Sequence, residues 1–214
     1  MKLNTLCRNG GLAAAALTLS LGLAACGQDE PATSSDSTTQ SQDQGQDQSE
    51  PVADDASADT YGAGCAQVPT DGAGSFNGMA TAPVASAASA NPLLKTLVAA
   101  VTEAGLVEPL NSAPELTVFA PADPAFAAIP KKDMNAVMSD KQMLGSILKH
   151  HVVGEQISPD ELSGEFETLN GDMLTINGTG EEATIGDEKA QVLCGNVPTA
   201  NATVYVIDTV LMPS

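Results

Sequence analysis

The clearest hydrophobic run in the folded half of the chain is Leu116–Phe119, four strand-forming residues with no polar interruption except a threonine. Such a run predicts a strand buried on both faces. Pro121 ends it by removing a backbone donor, and Asp123-Pro124 then read as N-cap and first turn of a helix that carries Phe126 inward. Upstream, Leu93, Leu94, Leu97, Val98 and Val101 recur at helical spacing, opened by Asn91-Pro92 and stopped by Gly105. Downstream, Ser139 with Gln142 reads as a capping box. The helix it starts aligns Met143, Leu144, Ile147, Leu148 and His151 on one side and turns His150 to another.

The periodicity then changes to that of strands. Val152-Val153 is short and apolar, and Ser158-Pro159-Asp160-Glu161 signals one more helix start. Phe166–Leu169 and Met173–Ile176 flank Asn170-Gly171, a strong hairpin signal. Ala183–Ile185 and Ala190–Cys194 continue a meander, and Thr203–Met212 is a long β-branched strand, apolar on both faces except at Asp208. Helices followed by a meander predict an α+β domain. Gly72-Ala73-Gly74-Ser75-Phe76-Asn77 lacks a third glycine and a preceding strand, so it reads as a loop and not as a phosphate cradle.

The first 64 residues follow other rules. Residues 1–25 combine Lys2 and Arg8 with the apolar run Gly11–Ala25, the layout of an export signal and short for a membrane span of roughly 20 residues. The run ends in Leu23-Ala24-Ala25-Cys26, which matches a bacterial lipobox. Small residues admit the peptidase and the Cys26 thiol takes up a diacylglyceryl group, giving an anchor of more than one chain. Gly27–Gly64 is rich in Ser, Thr, Gln and Asp, with nine acids and no Lys or Arg. That composition predicts a disordered tether over residues 26–64, ahead of a domain over residues 65–214.

Charge and cysteines narrow the function. Without residues 1–25 the chain holds six basic and 27 acidic residues, a formal charge of −21. That balance argues against a nucleic-acid partner and against lying on an anionic bilayer, since both need a basic footprint. With Cys7 in the signal and Cys26 assigned to lipid, Cys65 and Cys194 remain. In an oxidising compartment they pair as one disulfide, the alternative being two free thiols.

Three segments resemble the signatures of the fasciclin (FAS1) domain, in order and at its spacing. They are TVFAPADPAF, ILKHHVV at Ile147–Val153, and NATVYVIDTVLMP at Asn201–Pro213, within a match from about Val84 to Pro213. The resemblance implies a wedge of β-sheet packed with several helices. The layout is similar to that of mycobacterial surface lipoproteins of this family, which carry cysteines at the positions of Cys65 and Cys194. The family's middle segment usually reads Tyr-His, where this chain has His150 and His151. Adhesion activity in animal members lies near that segment and an Asp-Ile element. The resemblance therefore makes His150, His151 and Asp208 a candidate partner-binding region.

These readings lead to an exported, membrane-anchored surface lipoprotein on the outer face of a bacterial cytoplasmic membrane. Its domain is expected to bind a protein, extracellular-matrix or cell-surface partner without catalysis. No catalytic, metal or cofactor residues are expected. A Gly-x-Ser-x-Gly elbow, an EF-hand loop, a Cys-x-x-Cys pair and a His-x-x-x-His spacing are all missing from the sequence. Capture of a lipid, glycan or other small ligand in a groove between helices and sheet is the alternative.

Overall fold

The computed structural model describes residues 55–213. The expected α+β order is present. Helices α1 (Phe76–Ala80), α2 (Val84–Ala90), α3 (Lys95–Glu103) and α4 (Val107–Ser112) precede strand β1 (Leu116–Pro121). Helices α5 (Asp123–Ala128), α6 (Lys131–Ser139) and α7 (Lys141–His150) then lead to β2 (Val152–Val153). The rest is strand: β3 (Gly164–Glu167), β4 (Met173–Asn177), β5 (Thr184–Ile185), β6 (Ala190–Pro198) and β7 (Ala202–Ile207). Gln48–Ser214 is one compact unit by itself.

The seven strands are ordered β2-β1-β7-β6-β5-β4-β3. β1 and β7 are parallel and central, and every residue of β1 is buried. Their alternate residues feed two cores. Val118, Ala120, Val204 and Val206 face the helices with Leu97, Val101 and Leu148. Phe119, Tyr205 and Ile207 face the other way, with Leu174, Ile176, Ile185 and Leu211. Burial on both faces is why these strands lack a polar alternation. Phe119 and Tyr205 are register partners whose rings lie 5.8 Å apart, and the Tyr205 hydroxyl donates to the Ile157 carbonyl at 2.8 Å.

The two edges of the sheet meet. Val153 of β2 bridges Thr168, just past β3, and the Leu169 amide donates to the Val152 carbonyl at 2.8 Å. A sheet that closes on itself removes the unpaired edge that invites aggregation.

Several local expectations shift. Ser139 ends α6, and the cap of α7 is Asp140, whose carboxylate accepts from the amides of Gln142 and Met143. A carboxylate in that place gains from the helix dipole as well as from the bonds, so it displaces the serine. Asn91-Pro92 does not open α3. The Asn91 side chain closes a turn on the Leu93 amide, and α3 starts at Lys95. Asp123 does cap a helix, but that helix is α3: its carboxylate accepts from the Thr96 amide at 2.8 Å. The chain direction after Pro121 brings α5 to the start of α3, where unsatisfied amides await an acceptor. Ser75 caps α1 inside the stretch read as loop, accepting from the Gly78 amide. β7 ends at Ile207 instead of Met212, because the Asp208 carboxylate takes the Gln191 amide in place of a ladder bond.

The domain also begins earlier than Cys65. Tyr61 bridges Gly195 of β6, the Asp59 carbonyl accepts from the Asn196 side chain, and the Ala56 amide donates to Asn77. The boundary drawn at residue 64 therefore moves back to at least Asp55. Tyr61 with its main-chain pairing, the Ala56 and Asp59 contacts and the following disulfide hold a segment whose composition alone argues for disorder.

Candidate binding face

Cys26 lies outside the described residues. Cys65 and Cys194 form a disulfide, with Cα atoms 4.8 Å apart across 129 positions of sequence. The bond fastens the segment around Tyr61 to β6, whose Gly195 lies under the Tyr61 ring. The Tyr61 hydroxyl is buried with no hydrogen-bond partner among the described residues, and burial, with a contribution from Glu181, pushes its pKa up to about 12.

The two histidines are both buried, 3% and 2% exposed. His151 terminates α7 and is a core residue, as its apolar face predicts. Its Nδ1 donates to the Ile147 carbonyl at 2.8 Å, and its Nε2 accepts from the Leu211 amide at 3.0 Å. Those two bonds specify one neutral tautomer. Burial lowers its pKa to about 4; the bond to Ile147 opposes the shift and His150 adds to it.

His150 was expected on a different side of α7 from His151. It is turned toward the seam of the sheet, where Nδ1 pairs with the Asp172 carboxylate at 2.8 Å. Thr168 and Asn170 also donate to that carboxylate, Asn170 at 2.9 Å. Burial raises the Asp172 pKa, but the bonds from Thr168, His150 and Asn170 outweigh it and bring the value down to about 2. Asp172 follows the Asn-Gly turn directly, so the hairpin signal located it without indicating its partner.

Asp208 is not part of this cluster. Its carboxylate accepts from the Gln191 amide and from the Thr209 hydroxyl, both at 2.9 Å. Of the candidate region, the structure places His150 and His151 side by side in the interior and Asp208 apart from them at the end of β7. Its imidazoles have almost no surface to offer a partner, and its carboxylate is occupied in joining β6 to the end of β7.

Two apolar clefts flank His151, the first of them between helices and sheet. One lies between α2, α3, α4 and β1, lined by Val84, Leu97, Val101, Leu110 and Val118, and encloses about 530 Å³ including its mouth. The other lies between α5, α6, α7 and the tail after β7, lined by Phe126, Met134, Val137, Met138, Ile147 and Met212, and encloses about 510 Å³. The free space within their walls is only about 40 Å³ in the first and about 50 Å³ in the second, well below the size of a small-molecule site.

Residues 92–213 match the family model described as "Fasciclin domain". The chain belongs to the fasciclin family. It is 45% identical over 168 residues to the "Cell surface glycolipoprotein MPT83" of Mycobacterium tuberculosis, covering 74% of each chain. It is 44% identical over 167 residues to the "Immunogenic protein MPB70" of Mycobacterium bovis, covering 74% of this chain and 84% of that one. Among solved structures, the FAS1 domain pair of the insect cell adhesion molecule fasciclin I is similar at a TM-score of 0.48 and 24% identity, over 56% of this chain and 45% of that one.

Among the described residues, no group of His, Cys, Asp and Glu is arranged to hold a metal ion, and no helix is long and apolar enough to cross a membrane.

Proposed function

We propose that this fasciclin-family chain is an exported surface lipoprotein, anchored through Cys26, whose domain binds a protein or extracellular-matrix partner and performs no catalysis. The observation that carries the reading is the 45% identity, across three quarters of both chains, to a protein named as a cell surface glycolipoprotein. It agrees with the lipobox at Leu23–Cys26 and with the acidic, Ser- and Gln-rich composition of the residues between Cys26 and Asp55. The histidines support the non-enzymatic part. His151 has both ring nitrogens bonded to backbone, and His150 is held by Asp172. A general base must reach a substrate proton, and these two imidazoles are already engaged in holding the domain together.

The test has two arms. The Gln48–Ser214 unit should bind cells or matrix in a pull-down above an unrelated acidic domain of similar charge; equal binding overturns the adhesion reading. Cys26→Ala in the full chain should abolish partition into detergent or leave the precursor unprocessed; unchanged partition and processing overturn the anchor.

A further inference from the structure

An open groove lies at the seam of the sheet, where Val153 of β2 bridges Thr168. It is lined by Val153, Gly154, Glu155, Glu167, Thr168 and Leu169, with Gly171 at its end. It has about 470 Å³ of free space, against about 40 and 50 Å³ in the clefts beside His151. The room depends on Gly154, an exposed residue directly after β2. The fold does not require a glycine there. Gly154 does not have a positive φ, and a Cβ built on it would meet only Leu169 Cδ2, at 3.6 Å, an ordinary van der Waals contact. Backbone and packing both admit a side chain at this position, and its absence keeps the groove open.

The walls combine acid with apolar surface. Glu155 and Glu167 are exposed, neither is in an ion pair among the described residues, and no lysine lines the groove. Leu169 is 46% exposed, and Met173, the register partner of Glu167, is 53% exposed. These are two of the four large apolar side chains left in water among the described residues, and both stand on the β3–β4 hairpin. Acids are common on this chain, so charge alone singles out no face. Two carboxylates without a cation, bordering one open space beside an exposed leucine, do single one out, since apolar surface rimmed by polar groups marks interaction sites.

We propose that this groove receives an arginine or lysine side chain presented by a protein partner, its stem along Leu169 and over Gly154, its cationic head held by Glu155 and Glu167. A long basic side chain joins an apolar stem to a charged head, which is the combination these walls offer. Arginine suits them better than lysine, because its planar fork can bond two carboxylates and is more weakly hydrated. The groove is open to solvent, so a free small molecule would keep much of its surface in water there. A side chain carried on a partner's surface needs no such enclosure. Leu169 and Met173 supply surrounding contact that excludes water once the two surfaces meet. This rests on the adhesion reading and adds to it the chemistry of the partner's contact.

The experiment follows backbone amide shifts by NMR in the Gln48–Ser214 unit, which is compact by itself, during titration with N-acetylarginine N-methylamide. Saturable shifts should appear at Gly154, Glu155, Glu167, Thr168 and Leu169. The citrulline analogue, of the same shape without the charge, should bind about tenfold more weakly. Glu155→Gln and Glu167→Gln should each weaken binding by up to about fivefold, the span of an exposed ion pair. Gly154→Leu fills the groove and should abolish the shifts, while Glu108→Gln, on α4 outside the groove, should change nothing. Melting curves check each variant; Gly154 is exposed with space around it, so the leucine leaves the cores intact. The same variants go into the cell and matrix pull-down, where Gly154→Leu should lose the binding that wild type shows.

Shifts that are absent, or spread evenly over the acidic surface, overturn the groove and leave the adhesion reading to its own assay. Equal affinity for the citrulline analogue overturns the role of the carboxylates. Cell or matrix binding that Gly154→Leu leaves intact overturns the assignment of the groove to the partner. Localised shifts with no cell or matrix binding by the wild-type unit support the groove's preference for a basic side chain and overturn the adhesion reading. A dimer by light scattering that Gly154→Leu dissociates assigns the groove to a second copy and overturns the separate partner.

Discussion

His151 should make the domain acid-sensitive well above the range in which its carboxylates protonate. The imidazole is fully buried and bonded through both nitrogens as the neutral form, and its pKa is lowered to about 4 from an ordinary 6.5. Above pH 6.5 neither the folded nor the unfolded chain protonates this group, so its contribution is fully present. Below 6.5 the unfolded chain binds a proton that the folded chain refuses, and stability falls as the pH drops toward 4. From pH 7.5 to 4.5 the loss comes to about 2.5 kcal/mol at 1.36 kcal/mol per pH unit of full proton difference. That is a large share of the 5–15 kcal/mol typical of a domain. Asp172, with a pKa of about 2 against an ordinary 3.8, adds its own loss only at lower pH. Urea unfolding of the Gln48–Ser214 unit at pH 7.5, 6.5, 5.5 and 4.5 measures the slope. His151→Gln cannot take up the proton. It should start less stable at pH 7.5, because the Leu211 amide and Ile147 carbonyl lose well-placed partners, yet lose about 2.5 kcal/mol less than wild type across the window. Parallel pH dependences for the two proteins would refute the reasoning.

Three further perturbations test other joints. Reduction of Cys65–Cys194 should lower the melting temperature, since opening a loop of 129 positions removes up to about 5 kcal/mol in chain-entropy terms; two titratable thiols without reductant would show that the bond is not formed. Asp123→Ala should cost about 1 kcal/mol, and amide exchange should rise at Thr96 in α3 and not at the start of α5; the reverse pattern would return Asp123 to its own helix. A Cβ on Gly195 would lie 2.3 Å from the Tyr61 ring, so Gly195→Ala should destabilise by about 1–3 kcal/mol, and Tyr61→Ala should recover part of that in the double variant. Additive losses would mean that the two residues are not in contact.

Legibility from sequence depended on whether a signal was local. The β1 run, the Asn170-Gly171 hairpin and the core position of His151 were readable because periodicity and turn chemistry act over a few residues. Where several acceptors competed for one set of amides, the reading failed. Asp140 outcompeted Ser139, and Asp123 reached across 27 positions to α3 instead of capping α5. α4 and α6 gave no clear signal, α4 being short and α6 burying nothing. The largest miss was His150, which helical geometry turns away from His151 but which tertiary structure buries at the seam.

That miss bears on function. Three signature segments mark the family, and each contributes a joint between elements. Asp123 of the first joins α5 to α3. His150 of the second meets Asp172 where the sheet closes. Asn201 of the third accepts from the Val84 amide and donates to the carbonyls of Leu110 and Ala113, tying α2 and α4 to the start of β7. Residues so occupied hold the frame and leave little to offer a ligand. The exposed apolar side chains outside these joints, Met143, Leu169, Met173 and Met212, are surface a partner can reach. A substitution in one of these signature residues should therefore register first as lost stability, before any change in binding.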